Sequence, residues 1–143
     1  MSPLVNVADV LGFPVKEVAA RSPFGLISRI EGGLPIDALD RVARLVAPED
    51  TQFKYRLVPK ATYERRKSSA RLSSDEGALL ARLARVWGLA LEVWQKDEDA
   101  RAFLFRPHAM LEDRRPIDVV LLNEFGAEMV LDILGGLKYG VAA

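Results

Sequence analysis

The sequence has 143 residues, of which half are hydrophobic and 28% are charged. This length and composition are typical of one globular domain, or of two small domains that share a core, and such a core can be stable without disulfides. Equal numbers of basic and acidic side chains give a formal net charge of zero, which argues against a general preference for polyanions. The absence of cysteine excludes disulfides, thiolate nucleophiles and cysteine-based zinc sites.

The distribution of apolar residues gives no indication of a membrane protein. No apolar run reaches the roughly 18 residues that a membrane-spanning helix needs. Residues 1–11 lack the basic start and the long apolar stretch of a signal peptide. We therefore expect a cytoplasmic protein.

The N-terminal part of the chain predicts short helices separated by prolines and glycines. A short helix is expected near residues 5–11, and a second helix is indicated by Leu26, Ile27 and Ile30 before the stop at Gly32-Gly33. Pro35 suits the first position of a third helix, because its missing N–H costs nothing there. That helix should end before Pro48, and its predicted inner face consists of Ile36, Leu39, Val42, Ala43 and Val46.

A basic segment follows between residues 54 and 71, where Glu64 is the only acid. Residues 49–58, a turn at Pro59 and a helix over residues 60–68 predict a helix-turn-helix. The second helix of such a motif can face DNA phosphates or base edges. The alternatives are a solvated basic face or a surface that pairs with an acidic partner. The candidate DNA-binding residues are Lys60, Thr62, Arg65, Arg66 and Lys67.

The longest predicted helix follows a capping box, in which Ser73 and Glu76 can satisfy each other's backbone N–H groups. Its apolar stripe is expected to form the centre of the fold, and Phe103 is assigned to the same core. The stripe consists of Leu79, Leu80, Leu83, Val86, Trp87, Ala90, Leu91 and Trp94.

The C-terminal third predicts three further helices. The first begins at the acidic residues 97–99 and ends at Pro107, the second begins at Pro116, and the last begins at Asn123 or Glu124. The last helix is predicted to face inward with Phe125, Met129, Val130, Ile133, Leu134 and Leu137. Because no useful period-two pattern occurs, we predict an all-α protein, a compact bundle of short helices.

Residues that could carry enzyme chemistry are sparse. The single histidine, His108, has no cysteine or second histidine as a partner, and we predict a solvated side chain at a helix end. The glycine pairs lack the preceding strand and the Gly-Lys-Ser/Thr ending of a phosphate loop. We therefore predict a non-enzyme without a catalytic residue, cofactor or metal ion.

Three segments resemble the Xre/MbcA/ParS class of antitoxins, over about residues 25–143. Residues 58–67 are similar to the family's Pro-x-x-Thr-x-x-Arg-Arg segment, and residues 72–76, 83–86 and 90–94 form the second match. The most specific match comprises residues 102–107, Leu111, residues 115–118, Gly126, Val130 and residues 137–141. One departure occurs after Leu111, where the family commonly has glycine and this chain has Glu112-Asp113. The resemblance therefore does not predict the backbone conformation of this turn.

The resemblance implies a partner protein and a separate function for each half of the chain. Antitoxins of this class accompany RES-domain toxins, which hydrolyse NAD or use it to ADP-ribosylate a target. It implies an N-terminal helix-turn-helix-like region, residues 1–71, that represses the operon through operator DNA. It also implies a C-terminal toxin-binding helical domain, residues 72–143, and a homodimer within a larger toxin–antitoxin complex. The alternative is a stand-alone helix-turn-helix regulator.

The C-terminal segment is the expected plug for the toxin's NAD pocket. Lys138 can meet carboxylates, Tyr139 can bury a ring while keeping its hydroxyl accessible, and Gly140 permits close approach or positive φ. A frayed terminus is the alternative interpretation. The candidate toxin-binding residues are Arg114, Arg115, Lys138, Tyr139, Gly140, Val141, Ala142 and Ala143.

Overall fold

A computed structural model describes residues 3–14, 16–17 and 21–140, with side chains from residue 7 onward. Within these residues the chain forms nine α-helices and one 3₁₀ helix. The described part has no β-strand, and its only bridges are isolated pairs, Pro35 with Arg71 and His108 with Arg114. The predicted all-α fold is therefore confirmed.

The chain divides into two compact units, Met1–Ala84 and Arg85–Ala143. The first unit contains α1 (Pro3–Leu11), α2 (Pro23–Gly32), α3 (Ile36–Val46), α4 (Lys54–Leu57), α5 (Lys60–Ser69) and the start of α6 (Ser74–Trp94). The second contains the rest of α6, α7 (Asp97–Phe105), the 3₁₀ helix (Ala109–Leu111), α8 (Pro116–Val120) and α9 (Glu124–Lys138). The boundary falls inside α6, whereas the sequence-based division at residue 71 precedes that helix.

The core of the first unit is built on α3. Leu39, Val42 and Val46 are completely or almost completely buried, as the apolar spacing of this helix predicts. Helix α1 packs against α3. Arg41 of α3 secures the end of α1, because its Nε donates to the Val10 carbonyl at 3.0 Å. These contacts give α3 a fixed position from which it contacts the basic segment.

The predicted helix over residues 49–58 is wrong in extent. Only its last part is helical, the single turn Lys54–Leu57, and residues 48–53 form turns. The Asp50 carboxylate accepts a hydrogen bond from the Gln52 backbone N–H at 2.9 Å. Such local side-chain bonds offer the backbone an alternative to helical pairing. The first helix of the helix-turn-helix is therefore very short.

The second unit is organised around α8. Both α7 and α9 pack against this short helix. Its core combines completely buried side chains from all four α-helices of the unit: Trp87, Leu104, Ile117 and Leu134. Trp94 is less well covered than predicted, since 38% of it is exposed near the end of α6.

Helix α9 buries only some of the residues that its sequence predicted to face inward. Val130, Ile133 and Leu134 face the core as expected, but Phe125, Met129 and Leu137 are exposed. Gly126 accounts for this orientation, because a Cβ at this position would lie 2.1 Å from the Val119 carbonyl oxygen. Only glycine permits this approach of α9 to α8. The contact sets the rotation of α9, and Phe125 consequently points outward.

Substitution of Gly126 should test this contact. Because the obstructing atom is a backbone carbonyl, Gly126→Ala should destabilise the protein by about 1–3 kcal/mol. The matched control is Gly135→Ala in the same helix, where an added Cβ meets nothing within 4 Å. This control should gain about 0.5–1 kcal/mol from reduced backbone entropy. Equal stability of the two variants in urea denaturation would contradict the proposed role of Gly126.

Candidate functional sites

Helices α4 and α5 are the first and second helices of the predicted helix-turn-helix. They are joined by Val58 and Pro59, whose backbones are extended. Leu57 and Val58 are buried at this junction and hold the turn against the first unit. Pro59 precedes α5 directly and gives the new helix a defined starting direction. The predicted turn at Pro59 and the helix that follows it are both present.

Helix α5 is attached to the core through one aromatic side chain. Tyr63 is the buried residue of this helix, and its hydroxyl contacts the Asp40 carboxylate oxygens at 3.0 and 3.1 Å. Lys54 completes the cluster, with its Nζ 3.3 Å from the Tyr63 hydroxyl and 3.5 Å from Asp40. Burial alone would lower the pKa of Lys54, but its bonds with Tyr63 and Asp40 raise the pKa above its ordinary value. The lysine therefore stays charged and stabilises the cluster.

A second attachment joins α5 to the start of α6. Arg66 donates from Nε to Oε1 of Glu76 at 3.0 Å and from Nη2 to Oε2 at 3.4 Å. The predicted capping box is also present, since Ser73 N–H donates to Glu76 at 2.7 Å and Glu76 N–H donates to the Ser73 hydroxyl at 3.2 Å. Burial would raise the pKa of Glu76, but the Ser73 and Arg66 bonds outweigh it and lower the pKa.

The five predicted DNA-contact residues differ in how accessible their side chains are to a DNA partner. Lys60, Arg65 and Lys67 are exposed on α5, whereas Arg66 is half-buried and its charge is engaged by Glu76. Arg65 donates to the Thr62 hydroxyl at 3.2 Å, so both side chains lie together near the middle of the helix. The exposed basic groups of α5 are thus not in one continuous run. Arg66 has a structural role that sequence reasoning missed, because its partner lies ten residues away.

The loop between α7 and α8 is held by His108. This residue is half-buried rather than solvated as predicted, and its Nδ1 accepts from the Met110 N–H at 3.1 Å. Its ring lies edge-on to Phe103, with centroids 5.9 Å apart. The lone histidine is therefore a structural cap. Neither the sequence nor this geometry gives it a catalytic partner.

The departure from the family pattern after Leu111 has a definite geometry. Glu112 and Asp113 both adopt left-handed backbone conformations, with φ of 54° and 63°. Such conformations suit glycine and cost about 1–2 kcal/mol for other residues. The turn therefore keeps a glycine-like path without glycine. It leads directly to the predicted toxin-binding residues Arg114 and Arg115.

The two loop arginines have different environments. Arg114 is exposed and lies 3.8 Å from Glu112, a weak surface pair. Arg115 instead donates to both carboxylate oxygens of Asp118 at 2.8 and 3.0 Å, and these hydrogen bonds raise its pKa. Its guanidinium also lies 5.7 Å from the centroid of the Phe105 ring. Arg115 thus stabilises the start of α8, while Arg114 is the more accessible of the pair.

The C-terminal segment begins at the end of α9. Lys138 forms an ion pair with Glu92 of α6, and this hydrogen bond raises the pKa of Lys138. Tyr139 is 75% exposed, and Gly140 has a φ of 77°, a positive value that glycine adopts without strain. The predicted contacts of Val141, Ala142 and Ala143 lie outside the described residues.

A groove of about 490 Å³ in the second unit adjoins the loop before α8 and the end of α9. Its lining includes His108, whose backbone pairs with that of Arg114, and Leu137, which directly precedes Lys138. Its remaining lining residues are Trp94, Asp99, Ala102, Phe103, Arg106 and Pro107. The groove is thus next to both segments, but none of the described candidate toxin-binding residues lines it.

Two kinds of feature are absent from the part of the chain that the structure describes. No described helix combines the length and the apolar character that crossing a membrane requires. In the same part of the chain, no three side chains of the types that ligate metals are grouped together.

Comparison with known families assigns both units. A family model described as the antitoxin Xre-like helix-turn-helix domain matches residues 25–85, and one described as the antitoxin Xre/MbcA/ParS C-terminal toxin-binding domain matches residues 89–140. The protein is thus a helix-turn-helix antitoxin with a toxin-binding domain. It belongs to the Xre/MbcA/ParS-type antitoxins, as the resemblance indicated. Neither family is a family of enzymes. No curated protein matches the chain.

The junction between α5 and α6 yields a pH-dependent prediction. Glu76→Ala removes both the cap and the partner of Arg66, and should cost about 1–2 kcal/mol at neutral pH. Because folding lowers the pKa of Glu76, the ionised carboxylate stabilises the folded state above its ordinary value near 4.5. That contribution should disappear as the pH falls through the folded-state pKa.

Glu76→Gln is the matched control, because glutamine keeps an acceptor for the Ser73 N–H but does not titrate. Denaturation curves of the wild type and this variant should differ at neutral pH and converge as the pH falls from about 4.5 through the lower folded-state pKa. A stability difference that stays constant across this range would refute the ionic contribution of Glu76.

Proposed function

We propose that this antitoxin neutralises a RES-domain toxin in the cytoplasm by covering the toxin's NAD pocket with its C-terminal segment. The observation that carries the proposal is the exposed Tyr139-Gly140 pair at the end of α9, within the toxin-binding domain. RES-domain toxins consume NAD or transfer ADP-ribose from it, so a segment that fills the pocket would stop the reaction without any chemistry by the antitoxin.

The end of α9 is suited to present such a segment. The Lys138–Glu92 ion pair connects the last helical residue to α6, so the start of the tail is positioned before a partner arrives. A positioned anchor loses less conformational entropy on binding than a free chain end. Tyr139 then offers a ring for burial and a hydroxyl for hydrogen bonding. Lys138 would have to exchange Glu92 for a toxin carboxylate, so we assign it the positioning role.

The loop before α8 supplies a second contact. Arg114 is exposed and only weakly paired, so its charge is accessible to an acidic group of the toxin. Arg115 is engaged by Asp118 and contributes by holding the loop in place. Because His108 and Leu137 line one groove, the loop and the tail can contact the same partner simultaneously.

The helix-turn-helix unit adds operon repression to the proposal. Exposed Lys60, Arg65 and Lys67 can neutralise DNA phosphates, with Thr62 beside them. A homodimer would place two such helices on a palindromic operator, and the two-fold arrangement is the usual one for this motif. The assembly we propose is therefore a dimeric antitoxin that carries toxins on its C-terminal domains.

Removal of the tail tests toxin neutralisation. A variant that lacks residues 138–143 should retain its helical circular dichroism but fail to inhibit NAD consumption by the cognate RES-domain toxin that we propose. Tyr139→Ala, which leaves the Lys138–Glu92 pair in place, should weaken inhibition without altering the fold. If the truncated protein inhibits the toxin as fully as the wild type does, the tail has no part in the mechanism.

Salt-dependent operator binding tests the DNA interface. Lys60→Ala and Arg65→Ala should each reduce the salt slope of binding by about 0.9 for each phosphate that the variant no longer neutralises. Lys96→Ala, the same charge change in the toxin-binding domain, should leave the slope unchanged. An equal effect of all three substitutions would indicate general electrostatics only. No gel retardation by the wild type at low salt would exclude operator binding through α5.

A further inference from the structure

The outer face of α9 is unusually apolar for a solvent-facing surface. Phe125 is 75% exposed, and Leu122 just before the helix is 70% exposed. Met129, one turn after Phe125, is also exposed. Large apolar side chains grouped in this way are typical of surfaces that bind another protein.

Rearrangement of α9 cannot hide this face. The opposite side of the helix carries Val130 and Leu134, both completely buried, and Gly126 approaches the Val119 carbonyl too closely for any side chain. Turning Phe125 inward would expose these core residues and break the glycine contact. The apolar face is thus a permanent feature of the folded unit.

The same face leads into the C-terminal tail. Residues 125, 129, 132, 136 and 139 follow one another at steps of four and three, which places Phe125 and Met129 on the same side of α9 as Asp132, Gly136 and Tyr139. Phe125 therefore lies in line with Tyr139, at the other end of α9. A partner that receives the tail could contact Phe125 and Met129 with the same surface.

The charges on and beside this face disfavour a second copy of the chain as its partner. Glu128 and Asp132 are exposed on α9, and the helix has no lysine or arginine before Lys138. Arg85 offsets part of this charge by pairing with Glu124 at 3.1 Å and Glu128 at 3.2 Å. Two such faces brought together would still place acidic groups near acidic groups, which is unfavourable across an interface.

We propose that the outer face of α9 is a helix-in-groove anchor for the toxin, which receives Phe125 and Met129 in an apolar groove with basic edges. This inference rests on the proposed function, since it extends the toxin contact from the tail along the whole helix. The i, i+4 pair of apolar residues supplies the buried contacts. The exposed acidic side chains of Glu128 and Asp132 favour a groove whose edges are basic.

The test compares two phenylalanines of matched exposure. Phe125→Ala should weaken binding of the purified RES-domain protein about 30-fold in titration calorimetry, a typical effect at an interface hot spot. Phe24→Ala removes a phenylalanine that is 78% exposed in the first unit, and it should bind as the wild type does. Asp132→Asn should make the association rate less sensitive to salt. Thermal denaturation should show that all three variants remain folded.

The outcomes separate this inference from the proposed function. If the wild type binds the toxin and Phe125→Ala binds equally well, the anchor is refuted, while the tail still accounts for neutralisation. If Phe125→Ala converts a dimer into a monomer by analytical ultracentrifugation and each protomer keeps its toxin affinity, the face belongs to a second copy and the inference is overturned. If the wild type does not bind the toxin at all, both proposals fail.

Discussion

The contact of Gly126 with the Val119 carbonyl determines the organisation of the toxin-binding domain. It lets α9 lie directly on α8, and no side chain fits in the space between them. One side of α9 then closes the core with Val130 and Leu134, and the other side carries Phe125 outward. The proposed toxin contacts depend on this rotation, because the tail and the apolar face belong to the same helix.

The helix-turn-helix domain follows a different principle, in which polar contacts position its second helix. Tyr63 reaches Asp40 of α3, and Arg66 reaches Glu76 of α6. Each pair combines charge with hydrogen bonding in a partly buried environment, where such bonds contribute most. As a consequence, Arg66, which the sequence indicates as a DNA contact, forms its ion pair with Glu76 inside the domain. The remaining exposed basic residues therefore carry the proposed DNA contact.

Local signals predicted most of the helices because their causes are themselves local. The Ser73–Glu76 capping box, the glycine stop after α2 and the proline before α5 each act over a few residues. Residues 49–58 were less predictable, since the Asp50 turn competes with helical pairing in the same stretch. Propensity and apolar spacing do not resolve such competition.

Long-range contacts were beyond the reach of the sequence pattern. Apolar spacing on α9 includes Phe125 and Leu134 in one broad stripe, and only the Gly126 contact decides which of them is buried. Likewise, the arginine-rich segments do not reveal that Asp118 engages Arg115, nor that Glu76 engages Arg66. The residue types in both proposed sites were predictable, but their availability depends on partners that the fold supplies.

The slight burial of α5 has a consequence for the evolution of this antitoxin. With Tyr63 in the core and Arg66 bound to Glu76, the other positions of the helix contribute little to folding. Exposed substitutions usually change stability by less than about 0.5 kcal/mol. Mutations could therefore alter Lys60, Arg65 or Lys67 in successive steps, and the strength of the proposed DNA contact could change while the antitoxin stays folded.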